Sequence, residues 1–166
     1  AALAIGTSID LPLSAMIAAI RSFPGLEHRH QFVAERDGVR YVDDSKATNC
    51  AAALASAAAV AGPVVLLAGG LGKGEDYDAF VAALSDNVVH VVVYGALSET
   101  LQRALHNHAR AHTSAESLES AVQSARLIAS PGNTVLLAPA AASQDAYANF
   151  IERGRHFRAV VEALTP

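Results

Sequence analysis

At 166 residues and 52% hydrophobic, the chain is long enough to bury one sizeable core and is most simply one folded unit. Twelve basic against 16 acidic side chains leave a formal charge of −4, which argues against a general nucleic-acid or membrane-surface binder. Cys50 is the only cysteine, so an intrachain disulfide is excluded and a reducing cytoplasm fits best, while no apolar run approaches the ~18 residues of a membrane span.

In chain order, Ala1-Ala2-Leu3-Ala4-Ile5 resembles a helix entered midway and lacks the basic start of a signal peptide, so a piece of a longer chain is expected. Asp10-Leu11-Pro12 offers a cap followed by proline, and Leu13, Met16, Ile17 and Ile20 then recur at helical spacing before Pro24. Gln31 to Glu35 and Val39 to Val42 flank an Asp37-Gly38 turn, the signature of a hairpin. Thr48 is placed to cap a helix that begins near Asn49 and runs to Val60. Three continuous apolar runs follow, Val64 to Ala68, Val88 to Tyr94 and Thr134 to Ala138, as expected of strands covered on both faces. Helical segments lie between them at Tyr77 to Leu84, Leu97 to His106 and Glu116 to Ile128, with a short edge strand near Arg110 to Thr113. A last helix is expected from Ser143 to Leu164. This alternation predicts an α/β fold with a doubly wound, mostly parallel sheet flanked by helices and an N-terminal β-hairpin.

Such sheets bind ligands beyond the carboxyl ends of their strands, and three loops there are chemically loaded. Asp43-Asp44-Ser45-Lys46-Ala47-Thr48-Asn49 joins carboxylates, a lysine and hydroxyls at the positive end of a helix, a place suited to an anion. Gly69-Gly70-Leu71-Gly72-Lys73-Gly74-Glu75-Asp76 combines permissive backbone with a cation. Pro139 to Asp145 brings Ser143 to the start of the final helix. Lys73, Thr48 and Ser143 together suit a small molecule carrying carboxylates. The glycine loop is no nucleotide-binding P-loop, since Gly74 follows Lys73 where Ser or Thr is required. Plain alternatives stand beside each reading: Thr48 and Ser143 as simple helix caps, Asp43 and Asp44 as a solvated strand end, and Glu27 to His30 as a charged connector. His106, His108 and His112 have no carboxylate at ligand spacing, so no metal site is assigned, and Cys50 is read as a small buried residue.

Asp44-Ser45-Lys46-Ala47-Thr48-Asn49 closely resembles the D-S-K-A-T-N signature of MurD-type Mur ligases, the UDP-N-acetylmuramoyl-L-alanine:D-glutamate ligases of peptidoglycan synthesis. Gly25-Leu26-Glu27-His28-Arg29 is similar to the family's G-L-P-H-R element, and Gly69 to Lys73 to its G-G-x-x-K loop. The stretch from Ser143 through Phe150, Glu152-Arg153-Gly154 and Phe157 resembles its terminal motif. Departures are Ala138 and Ala141 where the family usually has Ser and Cys, Leu71-Gly72 in place of an acidic residue, and Glu27 in place of proline.

The resemblance implies a Rossmann-like domain of an ATP-dependent ligase, in which ATP phosphorylates the carboxylate of UDP-MurNAc-L-Ala and the D-glutamate amine displaces phosphate. It implies D-glutamate contacts from Thr48, Lys73, Ser143 and Phe150. His28, Arg29, Asp44 and Asn49 fall on the nucleotide side, with Lys46, Asp44 and His28 at the reaction and no metal ligand in this chain. Residues 1–24 resemble the tail of the central ATP-binding domain and residues 25–166 the C-terminal, amino-acid-binding domain. ATP and Mg²⁺ are then bound mainly by domains outside these residues, the setting is the bacterial cytoplasm, and the chain alone is expected to be inactive. The alternative is a non-catalytic α/β module that binds an anionic metabolite or a partner protein.

Overall fold

The computed structural model describes residues 2–165; Ala1, the first residue of the expected opening helix, lies outside them with Pro166. A helical pair, α1 (Ala2–Ser8) and α2 (Leu13–Ser22), comes first. Pro12 takes the N-cap of α2 with no side-chain cap bond, so the expected cap at Asp10 is not made. The two helices pack mainly on each other, and Leu13, Ile17 and Ile20 stay exposed.

Next come β1 (Gln31–Arg36), β2 (Val39–Asp43), α3 (Cys50–Ala58), β3 (Val64–Gly69), α4 (Tyr77–Ala82), β4 (Val88–Tyr94) and α5 (Ser98–Asn107). The chain continues through β5 (His112–Ser114), α6 (Leu118–Ile128), β6 (Thr134–Leu137) and α7 (Phe150–Glu162). The sheet order is β1-β2-β6-β3-β4-β5, with β1 antiparallel to β2 and every other pairing parallel. Asp37 and Gly38 turn the hairpin with φ of 52° and 75°, the paired positive angles of a tight turn that matches strand twist. The expected edge strand exists but is shorter, beginning two residues later and ending one later than its sequence placement.

Both faces of the sheet are covered, which explains the unbroken apolar strands. Val64, Leu66 and Ala68 of β3 pack with α3, α4 and α5, while Val65 and Leu67 face α6 and α7. Two further helix caps differ from expectation. Asn49, not Thr48, caps α3, its side chain accepting the Ala52 N–H. The last helix begins at Phe150, capped by Asn149 through the Ile151 and Glu152 N–H groups, so Ser143 lies in the preceding loop. Side-chain geometry decides both: an Asn oxygen reaches the amides of the first turn, and the Asn adopts the extended backbone of a cap. What positions the site is the return of the chain from β5 through α6 to insert β6 between β2 and β3. The loops after these three neighbouring parallel strands therefore meet at one edge.

Candidate functional site

Asp43 and Asp44, adjacent in sequence, are treated oppositely by the fold. Asp43 is fully buried: its Oδ1 accepts the Ser45 N–H at 2.9 Å, and its Oδ2 meets His28 Nδ1 at 2.7 Å. Asp44 is half-exposed, its backbone N–H bonded to Leu137 O at 2.8 Å. The turn is closed by Ala47 N–H to Asp44 O and by Lys46 N–H to His28 O. The Lys46 ammonium lies 4.2 Å from the centre of the Phe150 ring, a cation held over an aromatic face.

Arg153, which sequence reasoning cited only as part of a motif, holds this loop from behind. It is fully buried, and its Nε donates to Ser45 Oγ, its two terminal nitrogens to Ser45 O, Ala141 O and Ala142 O, all at 2.9 to 3.2 Å. Only the planar guanidinium fork serves so many carbonyls from one position. Gly154 follows because a Cβ there would overlap His28 Nδ1 and Asp43 Oδ2.

The glycine loop is drawn against both neighbours. Leu71 and Ala142 exchange backbone bonds of 2.8 and 3.0 Å, and Leu97 N–H bonds to Gly70 O at 2.9 Å. Gly70, at φ 125°, brings its backbone so near Ala142 O that a side chain would overlap it. Lys73 Nζ donates to Thr48 O at 3.0 Å, and Glu75 Oε2 accepts the Cys50 N–H at 2.7 Å. The positive end of α3, expected to receive an external anion, is therefore met by the protein's own carboxylate.

Burial, then the hydrogen bond and charge of Glu75, push the Cys50 thiol up to about 12 from its ordinary 9.0. This agrees with reading Cys50 as structural rather than nucleophilic. Iodoacetamide should then alkylate Cys50 at pH 8 about a thousandfold more slowly than a cysteine of ordinary pKa, in proportion to the thiolate fraction. A rate within tenfold of free cysteine would refute that.

Two cavities meet at Lys46. One, of ≈ 170 Å³, is lined by Lys46, Thr48, Lys73, Ser143, Asn149 and Phe150. The other, of ≈ 390 Å³, is lined by Arg29, Asp44, Lys46 and the alanine face of α3. All four residues expected to contact an amino acid thus share one cavity, although Ser143 is 1% exposed. Arg29 and Asp44 share the other. Asn49 lines neither and spends its side chain on the α3 cap. His28, expected among the reacting groups, is 2% exposed, with Nδ1 on Asp43 and Nε2 without a partner. His108 acquires a carboxylate from a distant helix, its Nε2 lying 3.1 Å from Asp78 Oδ2, a pairing that holds the Asp78 carboxyl below its ordinary range. Among the described residues, no three His, Cys, Asp or Glu side chains are grouped to hold a metal ion. Nor is any helix of these residues long and apolar enough to cross a membrane.

Residues 28–141 match the family described as Mur ligase, glutamate ligase domain. The UDP-N-acetylmuramoylalanine--D-glutamate ligase of Alkaliphilus metalliredigens is 45% identical over 146 residues, spanning 87% of this chain and 32% of that protein. The ligase of the same name from Pseudomonas aeruginosa is 45% identical over 168 residues, 99% of this chain and 37% of that protein. The chain thus spans about a third of the length of the curated relatives it matches. Among solved structures, the UDP-N-acetylmuramate-alanine ligase of Thermotoga maritima superposes with a TM-score of 0.68 at 18% identity, covering 97% of this chain and 36% of that one. The bifunctional folylpolyglutamate synthase/dihydrofolate synthase of Yersinia pestis, complexed with AMPPNP and a Mn ion, gives 0.65 at 20% identity, covering 96% and 37%. At these identities the two structures speak for the fold alone.

Proposed function

The chain belongs to the Mur ligase family as its glutamate ligase domain, and we propose that it is the C-terminal, amino-acid-binding part of an enzyme that adds D-glutamate to UDP-MurNAc-L-Ala in peptidoglycan synthesis. The observation that carries this is the pair of cavities divided by Lys46. On one side, Lys73 neutralises a D-glutamate carboxylate, Thr48 and Ser143 hydrogen-bond the amino acid, and Phe150 walls it in. On the other, Arg29 and Asp44 face nucleotide, and Lys46 stands between as the cation nearest the reaction.

His28 serves this site as a positioning residue. Buried, it fixes Asp43, which in turn holds the Ser45 N–H of the signature loop. Asn49 orients α3 beneath the same loop. In the reaction, the γ-phosphoryl group of ATP passes to the substrate carboxylate, giving ADP and an acyl phosphate. The D-glutamate amine then attacks the carbonyl carbon, phosphate leaves with the bonding pair, and the nitrogen loses a proton as the amide forms. Mg²⁺ accompanies ATP as part of that co-substrate and is bound mainly outside this chain.

The bacterial cytoplasm, where these precursors are soluble, is the setting we assign. Residues 1–24 we assign to the end of the preceding ATP-binding domain. Supporting this is the apolar surface at Leu3, Ile5, Ile9, Leu13, Ile17 and Ile20, which the sheet does not cover.

Phosphate release is the test. With ATP, Mg²⁺, UDP-MurNAc-L-Ala and D-glutamate, this 166-residue chain should release none, whereas a chain extended through an upstream ATP-binding domain should release phosphate only when D-glutamate is present. Turnover by the 166-residue chain, or D-glutamate-independent release by the longer one, would sink the assignment.

A further inference from the structure

The first half of the glycine loop is bonded to its neighbours through the backbone of Gly70 and Leu71, but the half that follows Lys73 is not. On one side Gly72 packs against Leu97 and Tyr77, but on the other Gly74, at φ 77°, has open space around it, so the backbone leading away from Lys73 turns freely. Two tethers supply the missing constraint, and both end on the same short stretch of chain. Lys73 Nζ reaches Thr48 O. Glu75 Oε2 takes the N–H of Cys50, the first residue of α3, at 2.7 Å. Both are charge-assisted, but the second is the shorter, a carboxylate on a first-turn helix amide with the helix dipole favouring its charge.

We propose that Glu75 is a positioning residue for substrate binding, pinning the glycine loop to the start of α3 so that the Lys73 ammonium is held beside Thr48 at the cavity wall. By occupying the Cys50 N–H, Glu75 also leaves Lys73, rather than the helix end, to meet a substrate carboxylate. Its side chain is half-buried beside α3. This inference rests on the D-glutamate reading of the cavity. Its structural half stands on the bond from the Cys50 N–H to Glu75, a carboxylate that, after burial, also pushes the Cys50 thiol up.

Two readouts separate the halves. In this chain, Glu75→Ala should speed iodoacetamide alkylation of Cys50 at pH 8 about tenfold, burial of the thiol being retained. In a ligase chain that carries this domain with its ATP-binding partner, Glu75→Ala should raise the D-glutamate KM about tenfold with kcat within about twofold. Glu75→Gln keeps an acceptor for the Cys50 N–H and should return KM to within about threefold of the parent. A merely structural role would lower the melting temperature and leave KM alone. An unchanged KM in Glu75→Ala, in an enzyme whose KM responds to Lys73→Ala, overturns the proposal and leaves the substrate reading intact. If the parent enzyme shows no D-glutamate-dependent turnover, the substrate reading fails. The tether is then judged on Cys50 alone, where an unaccelerated Glu75→Ala overturns it and an accelerated one sustains it.

Discussion

Replacing Lys73 with alanine in the ligase chain should raise the D-glutamate KM by roughly ten- to a hundredfold, the loss of one charge-assisted hydrogen bond of ~1.5–3 kcal/mol. Among the residues lining the smaller cavity, Lys73 and Lys46 are the cations, and the Lys46 ammonium is engaged with the Phe150 ring. That leaves Lys73 to neutralise a carboxylate. In the structure it rests on the Thr48 carbonyl, a neutral acceptor that a carboxylate outcompetes. If its contact is the same in ground and transition states, kcat should change little. Steady-state kinetics with D-glutamate as the varied substrate measures both constants, and a KM within twofold of the parent would remove Lys73 from the binding site. Lys73→Arg keeps the charge but spreads it over a planar fork, so an intermediate KM is expected.

The largest loss of stability should come from Arg153→Ala, at about 3–5 kcal/mol. Ser45 O and Ala141 O would lose their guanidinium donors inside the protein, and Ser45 Oγ would keep only its bond to Phe150 O. Ala142 O is spared, since Leu71 N–H also reaches it. The vacated volume would add a cavity cost. Because the whole stability of a domain is ~5–15 kcal/mol, such a loss brings the chain near unfolding. Arg153→Lys should recover only part, as an ammonium cannot serve acceptors on the signature loop and the β6 loop with one fork. Urea denaturation at constant m-value measures this directly, and a loss below 1 kcal/mol would show that the clasp is not structural.

These two residues mark how differently the site was legible. Lys73 announced itself: a cation among glycines after an apolar strand is visible from the residues alone. Arg153 did not, because apart from Ser45 Oγ its partners are backbone carbonyls of Ser45 and of residues 141–142, and backbone groups leave no mark in a sequence. Glu75 was equally hidden, since its role depends on a helix start 25 residues upstream. His28 shows the converse. Its motif pointed to the reaction, yet whether a histidine meets solvent or an inward carboxylate depends on what packs over it, here Gly154 of α7. The caps of α3 and α7 were misplaced for a local reason: Thr48 and Asn49 are both capping types, and Ser143 is as good a cap as Asn149 until backbone angles choose.

The amino-acid pattern by itself determined the hairpin, the two-sided parallel strands and the three loops that bear chemistry. These follow from continuous apolar runs, turn residues that favour positive φ and loop composition, all of which act over a few neighbouring residues. Only the tertiary structure decided that β6 enters between β2 and β3, which brings the loops together, and that Asp43 is buried while Asp44 is not. It alone set Lys46 between two cavities. Those outcomes depend on contacts between residues tens to a hundred positions apart, whose geometry arises when the sheet assembles and whose energies no local pattern encodes.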